Sequence, residues 1–379
     1  MVLKKIMKMN SKQQPKKVII SGGGTGGHIF PAIAIARALL ELEAHTKILF
    51  VGAEGRMEME KVPAAGFDIV GLPVRGFQRK ISVENVKVLI NLVKSLWKAS
   101  KIISSFHPDI AVGTGGYASA PVLYAASRKK IPTAIQEQNS YPGITNKILA
   151  RKASKIFVAY PGMEEYFPVE KIMFTGNPVR NKLEQLDTFR EESVNYFGLD
   201  TSKKTLLILG GSLGARTINE AVMAAFPDLL KSDIQLIWQS GKIYFDDAQQ
   251  IWKEKKPENI ILKDFISRMD LAYAVADVVI SRAGAGTISE LCLSGIASVL
   301  VPSPNVAEDH QTKNAMSLVN NNAALLVKDV EAKGKLIKVA LELIDDEVKK
   351  EQLSLNIKKL AISDSAGKIA KQIFKMCNN

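Results

Sequence analysis

From residue 17 onward, short apolar runs alternate with stretches of helical spacing. K-K-V-I-I-S-G-G-G reads as a buried strand running into a glycine loop. H-I-F-P-A-I-A-I-A-R-A-L-L-E-L follows with helical spacing, and Pro31 is expected in its first turn, where a missing N–H is tolerated. K-I-L-F-V-G-A predicts a second strand. P-D-I-A-V-G-T-G-G-Y-A-S-A-P-V-L-Y-A-A-S-R-K-K predicts a strand, a glycine turn and a helix. I-P-T-A-I-Q-E-Q-N and K-I-F-V-A-Y add two more strands. This alternation predicts an α/β fold with a doubly wound parallel sheet.

The pattern then starts again. T-L-L-I-L-G-G-S-L-G-A-R-T-I-N-E-A-V-M-A-A-F repeats the order of strand, glycine turn and helix. Q-L-I-W-Q-S-G, I-I-L-K-D-F-I, D-V-V-I-S-R-A-G-A-G-T-I-S-E-L-C-L-S-G and A-S-V-L-V-P-S-P continue it. Two such openings predict two Rossmann-like domains in tandem, residues 17–178 and 179–364. The join is expected near G-N-P-V-R-N-K-L-E-Q-L, where the periodicity breaks. One large sheet with insertions is the alternative. An amphipathic helix over about 365–379 is free to cap either domain, and residues 1–16 read as a disordered basic leader.

The chain has 379 residues, comfortable for two domains, and 46% hydrophobic residues supply a core for each. Cys292 and Cys377 are far apart, which argues against a disulfide framework. His28, His45, His107 and His310 form no zinc-like spacing with them. The net charge of +13 points to an anionic partner without choosing among nucleic acid, anionic lipid and phosphorylated substrate. No signal peptide and no run of about 20 apolar residues occurs.

Four glycine loops follow predicted strands, at residues 22–27, 113–116, 210–214 and 284–286. All therefore fall at the carboxyl edge of a sheet, where ligands bind in such folds. Glycine leaves no Cβ between backbone N–H groups and a ligand, and a helix N-terminus favours negative charge. Such a loop suits a phosphate, a developing oxyanion or a sugar edge; a tight turn without a ligand is the plain alternative. No P-loop motif occurs. Gly22-x-Gly24-x-x-Gly27 matches a dinucleotide fingerprint, and Glu54 stands roughly where its ribose-binding acid would. The second glycine loop and S-R-A-G-A-G-T-I-S-E have no place in a simple dehydrogenase, however. In that stretch Thr287 and Ser289 are candidate caps. Glu290 is either a bidentate acceptor for two ribose hydroxyls or a favourable acid in a first helical turn. Arg180 is either a diphosphate contact or a surface arginine. No D-x-D occurs, so helix N-termini and arginine would have to hold a diphosphate without metal.

Taken together, G-G-G-T-G-G-H-I-F-P-A, G-A-E-G-R-M-E-M-E-K-V-P-A-A-G-F, P-V-R-G-F-Q-R-K, P-D-I-A-V-G-T-G-G-Y-A-S-A-P-V, I-Q-E-Q-N-S-Y-P-G-I-T-N-K, G-N-P-V-R, G-G-S-L-G-A, S-R-A-G-A-G-T-I-S-E-L and E-D-H-Q-T-K-N-A closely resemble, in order, the bacterial transferases that add N-acetylglucosamine to lipid I (the MurG family). The resemblance runs over nearly the whole chain after residue 16. It implies a GT-B architecture, two Rossmann-like domains facing a cleft, and an inverting transfer from UDP-N-acetylglucosamine without a cofactor. The C-terminal domain would hold UDP, the N-terminal domain would meet the lipid acceptor, and the last helix would return to the N-terminal domain. By the same resemblance Ser212 and Arg180 face the diphosphate and Ile266 meets uracil through its backbone. Ala285, Gly286, Thr287, Ile288, Ser289 and Glu290 wrap the nucleoside. Gln311 touches the sugar, Thr25, Gly26 and Gly27 approach donor sugar and acceptor, and Asn139 reaches the donor. Ala120, Leu213 and Gly286 depart from the family pattern, where glycine, glutamine and leucine are usual.

Inversion needs a base for the acceptor hydroxyl and stabilisation for departing UDP. His28 is the leading base, an imidazole titrating near pH ~6.5 when unperturbed; orienting the acceptor or capping the helix is its alternative role. Glu137 and Glu54 are weaker candidates. Lipid I is membrane-bound, so the chain is expected on the cytoplasmic face of the plasma membrane as a peripheral protein. In residues 76–103, Lys87, Lys94, Lys98 and Lys101 fall within roughly 60° on a helical wheel, with Phe77, Ile81 and Trp97 beside them. That arrangement suits anionic headgroups, or else is a solvated lysine face. The family also implies other cell-wall synthesis and division proteins as partners. Two competing readings are a UDP-N-acetylglucosamine 2-epimerase of the same fold and a basic nucleic-acid-binding protein. The second is disfavoured by 7% aromatics and the lack of any RNA- or DNA-binding motif.

Overall fold

The computed structural model describes residues 14–74, 83–179, 181–255, 257–306 and 309–378. Most of the expected leader, Phe77, Ile81 and Arg180 lie outside the described residues, as does the side chain of Lys87. The chain divides into two compact units. One comprises the residues up to Gln138, Pro142–Pro178 and the segment from Ala366 onward. The other comprises Asn139–Tyr141 and Val179–Ser365.

The first unit carries seven strands: β1 (Lys17–Gly22), β2 (Lys47–Ala53), β3 (Ile69–Leu72), β4 (Ile110–Gly115), β5 (Thr133–Glu137), β6 (Lys155–Val158) and β7 (Ile172–Phe174). They form one parallel sheet in the order β3-β2-β1-β4-β5-β6-β7. The order reverses between β1 and β4. Helices cover both faces, so the middle of β1, Val18–Ile20, is apolar and its side chains alternate between two cores. Val18 and Ile20 join Ile29, Ala36 and Phe157 on one face, while Ile19 joins Ala99, Ile103 and Leu123 on the other. Between the strands lie α1 (Gly26–Leu42), α2 (Glu58–Ala64), α3 (Val83–Phe106), α4 (Ser119–Arg128) and α5 (Ile144–Ala150).

In the second unit β8 (Lys204–Leu209), β9 (Ile234–Gln239), β10 (Ile260–Lys263), β11 (Val278–Ser281), β12 (Ala297–Leu300) and β13 (Leu325–Leu326) make a parallel sheet in the order β10-β9-β8-β11-β12-β13. Its order reverses between β8 and β11. Leu206 and Ile208 face one core, Leu207 and Leu209 the other. Its helices are α6 (Arg190–Phe197), α7 (Arg216–Ala224), α8 (Phe226–Lys231), α9 (Phe245–Lys255), α10 (Met269–Val275), α11 (Ala285–Ser294), α12 (His310–Val319), α13 (Ala332–Asp345) and α14 (Glu347–Lys359).

The last helix, α15 (Ser365–Cys377), packs on the first unit. Ile369, Ile373 and Phe374 are buried among Val18, Ile20 and Ile29. Three strands escape the sequence pattern, β3, β7 and β13, which hold only four, three and two residues. Pro31 requires a correction. The helix begins at Gly26, so Pro31 sits in its second turn rather than its first. Having no N–H, it leaves the Gly27 carbonyl without its intrahelical donor.

Since α15 completes the first unit's core, Ile373→Ala should destabilise that unit by about 2–5 kcal/mol. In urea denaturation this appears as an earlier transition for the first unit, with the second unit's transition unmoved.

Candidate active site

All four glycine loops leave carboxyl ends of parallel strands. In each unit two of them flank the strand pair at which the order reverses, β1/β4 and β8/β11. A crevice opens there because the two connections run to opposite sides of the sheet.

In the first unit the two loops touch through their backbones. Gly23 N–H donates to the Gly115 carbonyl at 3.3 Å. Gly115 and Gly116 have φ of +102° and +83°. A Cβ on Gly116 would stand 2.3 Å from the Gly23 oxygen, and one on Gly115 would stand 2.6 Å from His28 Nδ1. Both the conformation and the space therefore demand glycine. Thr25 is the N-cap of α1 with an extended backbone and no side-chain cap bond, and Thr25 and Gly27 are exposed.

His28 lies in the first turn of α1, half-buried. Its Nδ1 is 2.9 Å from the Thr114 carbonyl and 3.1 Å from Gln138 Oε1. Both partners are acceptors, so in the neutral ring Nδ1 carries the proton and Nε2 holds the lone pair. Thr114 Oγ1 donates to the His28 carbonyl at 2.8 Å, which fixes the helix start to β4.

Glu58 is a feature the sequence reading did not single out. It is fully buried in the first turn of α2. One carboxylate oxygen accepts from Gly24 N–H and the other from Ala53 N–H, both at 2.9 Å. It braces the glycine loop against the end of β2. The only local signal was an acid in the first turn of a short helix.

The two weaker base candidates are engaged. Glu54 is exposed and pairs with Lys98 at 2.8 Å. Glu137 is buried and accepts from Gly143 N–H at 3.1 Å and Asn146 Nδ2 at 2.8 Å, holding the segment after β5. Asn139, half-buried, follows Gln138 past the end of β5.

In the second unit a cavity of about 500 Å³ opens beside the N-terminus of α7, within the usual size range of small-molecule pockets. Gly210, Gly214, Arg216, Arg282, Ser303 and Gln311 are among its lining residues. Arg282 is held by Asp329 and by the Val301 and Pro302 carbonyls at 3.1 and 3.3 Å. Arg216 is exposed and only loosely paired with Glu220 at 3.7 Å. The helix N-terminus and Arg216 together favour an anionic ligand. Gln311 accepts from Ser303 N–H at 2.8 Å, which leaves its NH2 to donate. Ser212 lies in the loop before α7, half-buried, and Leu213 is exposed beside it.

The second loop of this unit runs into α11. The N-cap is Gly284 and Thr287 already lies inside the helix, so neither Thr287 nor Ser289 caps it; Ser289 Oγ donates to the Ala285 carbonyl at 3.1 Å. Gly286, Thr287 and Glu290 are half-buried, Ala285 and Ile288 buried. Tyr273, fully buried on α10, donates to Glu290 Oε2 at 3.1 Å. Nothing in the sequence pattern marked that tyrosine. Ile266 N–H is occupied by Gln239 Oε1 at 2.8 Å, so Gln239 shares the backbone position expected to read a base.

Burial pushes the Cys292 thiol up to about 12 and that of Cys377 to about 11, so neither is a ready nucleophile. Among the described residues no group of three or more His, Cys, Asp or Glu is placed to hold a metal ion.

On α3, Val88, Ser95, Ala99 and Ile103 turn inward. Leu89, Ile90, Val93 and Trp97 are exposed, as are Lys94 and Lys101, and Lys101 Nζ lies 5.7 Å from the Trp97 ring centroid. No described helix is long and apolar enough to cross a membrane.

Two family models match the chain, the glycosyltransferase family 28 N-terminal domain over residues 18–158 and the C-terminal domain over residues 205–373. A protein of Bacteroides fragilis is 57% identical over 362 residues, 95% of each chain. It is named UDP-N-acetylglucosamine--N-acetylmuramyl-(pentapeptide) pyrophosphoryl-undecaprenol N-acetylglucosamine transferase. A protein of Flavobacterium psychrophilum with the same name is 51% identical over 95% of this chain and 97% of its own. Among solved structures, MurG of Acinetobacter baumannii matches with a TM-score of 0.72 at 26% identity, over 95% of this chain and all of the other. A UDP-GlcNAc 2-epimerase from Neisseria meningitidis matches with a TM-score of 0.65 at 15% identity, over 95% of this chain and all of the other, a likeness of fold alone.

Glu58→Ala would strip two N–H groups of their acceptor and should cost about 2–4 kcal/mol of the first unit's stability. Glu58→Gln keeps the shape and one acceptor and should cost less; urea denaturation of the two variants checks the order.

Proposed function

Because the chain belongs to glycosyltransferase family 28, among its UDP-N-acetylglucosamine--N-acetylmuramyl-(pentapeptide) pyrophosphoryl-undecaprenol N-acetylglucosamine transferases, we infer that it transfers N-acetylglucosamine from UDP-N-acetylglucosamine to lipid I, giving lipid II and UDP in peptidoglycan synthesis. The identity to named transferases, sustained over nearly both full lengths, carries this reading. The 2-epimerase alternative has only the shared fold in its favour.

The chemistry divides between the units. The C4 hydroxyl of the N-acetylmuramoyl unit attacks C1 of the donor sugar from the face opposite UDP, and the C1–O bond to UDP breaks with inversion. In the neutral imidazole with Nδ1–H engaged, His28 Nε2 carries the lone pair and takes the hydroxyl proton. Thr25, Gly26 and Gly27 approach the reacting sugars, where the two glycines, lacking a Cβ, leave room. Asn139 reaches the donor.

The leaving diphosphate gains negative charge. In this reading it is met by Ser212, Arg180 and the positive N-terminus of α7. Glu290 accepts from the ribose hydroxyls, its carboxylate oriented by Tyr273. Ile266 and the start of α11 enclose the nucleoside, and Gln311 donates to the sugar. Helix dipole and arginine neutralise the diphosphate, so no metal is required of these residues.

The acceptor is a membrane lipid, and the exposed apolar stripe of α3 with Lys94 and Lys101 at its edges supports peripheral docking on an anionic leaflet, the cytoplasmic one. Lys98, paired with Glu54, contributes less charge than its position on the helix implies.

Transfer of labelled sugar to a short-chain lipid I analogue should survive EDTA. His28→Ala should lower kcat by about 10²–10⁴-fold. Glu290→Ala, which removes a charged acceptor, should raise KM for the donor by about 10- to 100-fold. Slow UDP release without transfer in the wild type would instead favour the epimerase. Val93→Glu with Trp97→Glu should abolish sedimentation with vesicles rich in anionic lipid while turnover of the soluble analogue stays unchanged.

A further inference from the structure

Behind His28 stands a chain of buried side-chain amides that the transfer reaction as described does not use. Gln138, 2% exposed, presents Oε1 to His28 Nδ1 at 3.1 Å. Its Nε2 faces three oxygens: the Thr114 carbonyl at 2.7 Å, the Gln136 carbonyl at 3.3 Å and Gln136 Oε1. Gln136, fully buried, donates in turn to Asn177 Oδ1 at 3.2 Å, and Asn177 Nδ2 donates to the Gln138 carbonyl at 3.1 Å. The amide of Gln138 has one orientation in this setting. Turned over, it would point its oxygen at three acceptors and leave its NH2 facing Nδ1.

We propose that Gln138 is a positioning residue for His28: its Oε1, beside the Thr114 carbonyl that its own Nε2 holds, fixes the imidazole as the Nδ1–H tautomer so that Nε2 is the proton acceptor. The proposal rests on the reading of His28 as base. Its physical content lies in the choice of an amide. A carboxylate at the same place would favour the imidazolium, whereas the neutral Oε1 directs the ring without making its protonated form more stable by charge. Imidazolium has no lone pair to offer, so a neutral partner on Nδ1 is the choice that suits a base.

The charged groups around the ring leave that role to Gln138. α1 packs on β1, β4 and α2. β1 offers only Lys17, at its far end, and β4 no ionisable side chain. On α2, Glu58 is held by two backbone N–H groups, and Glu60 and Lys61 pair with each other at 3.1 Å. On β5, Glu137 is turned to Gly143 and Asn146. Arg37 and Glu41 lie further along α1 itself. Lys368, Lys371 and Lys375 of α15 are exposed.

The test uses the full chain, UDP-N-acetylglucosamine and the short-chain acceptor, with kcat and KM followed from about pH 5.5 to 9 around the ordinary imidazole pKa. Gln138→Leu should lower kcat about tenfold, a part of what a general base contributes, with donor KM unchanged. Nitrogen NMR of labelled histidine, with His28 assigned by its loss in His28→Ala, should show Nδ1–H in the wild type and a mixture of tautomers in Gln138→Leu. An unchanged kcat in Gln138→Leu, while His28→Ala is inactive, would overturn the proposal and leave the base reading standing. Full turnover by His28→Ala would sink the base reading instead. The tautomer spectrum then decides the positioning by itself, and a wild-type pattern in Gln138→Leu overturns it. Should Gln138→Leu not fold, Gln138→Met, which keeps the side-chain length and offers no amide oxygen to Nδ1, carries the kinetic and spectroscopic arms.

Discussion

The first unit is organised around a contact in which two backbone segments meet with no side chain between them. The loop after β1 and the loop after β4 touch at Gly23 and Gly115–Gly116, where a single added methyl group would collide with a carbonyl oxygen or with the imidazole of His28. From this approach follow the position of the α1 N-terminus, the seating of His28 against β4, and the need for Glu58 to take up the Gly24 and Ala53 N–H groups from the other side. The loop is thus compressed between a glycine pair and a buried carboxylate. Its geometry is set before any ligand arrives, which is what catalysis by positioned groups requires.

The polar groups that support this contact are costly to bury and are satisfied within the protein. Thr114, Gln136, Gln138 and Asn177 are each nearly inaccessible, and each finds partners among its neighbours. Such a network rewards completeness and penalises gaps. The second unit solves a similar problem with charge. Arg282 is surrounded by Asp329 and two carbonyls, while Thr217 donates to the same aspartate at 3.0 Å, so the floor of the cavity is tied together by ionic contacts.

Much of this was legible in the sequence because it depends on local patterns. Apolar runs leading into glycine loops marked β1, β4, β8 and β11, and the loop-bearing carboxyl edge of each sheet followed from that alone. What escaped depends on contacts between residues distant in the chain. β3, β7 and β13 are too short to show a period. Glu58 looked like an ordinary first-turn acid, and Tyr273 like one more apolar residue in a buried helix. Gln138 was visible only as a letter in E-Q-N, because its meaning comes from Thr114 and His28, which reach it through the β4–β5 pairing of the sheet. The start of α1 was placed two residues late, since glycines before His28 carry little helical signal, and the caps assigned to Thr287 and Ser289 failed because Gly284 takes the turn. The departures Leu213 and Gly286 were legible as letters, and the structure adds that Leu213 is exposed.

The return of α15 to the first unit bears on how the chain is made. Synthesis proceeds from the N-terminus, and domains generally fold in the order in which they emerge. Here the earlier unit lacks one wall of its core until Ser365–Cys377 have left the ribosome, while the second unit's residues end where that helix begins. The order of completion is therefore inverted. The second unit is finished while the half that bears the apolar stripe of α3 is still open, and that half closes only once α15 has emerged.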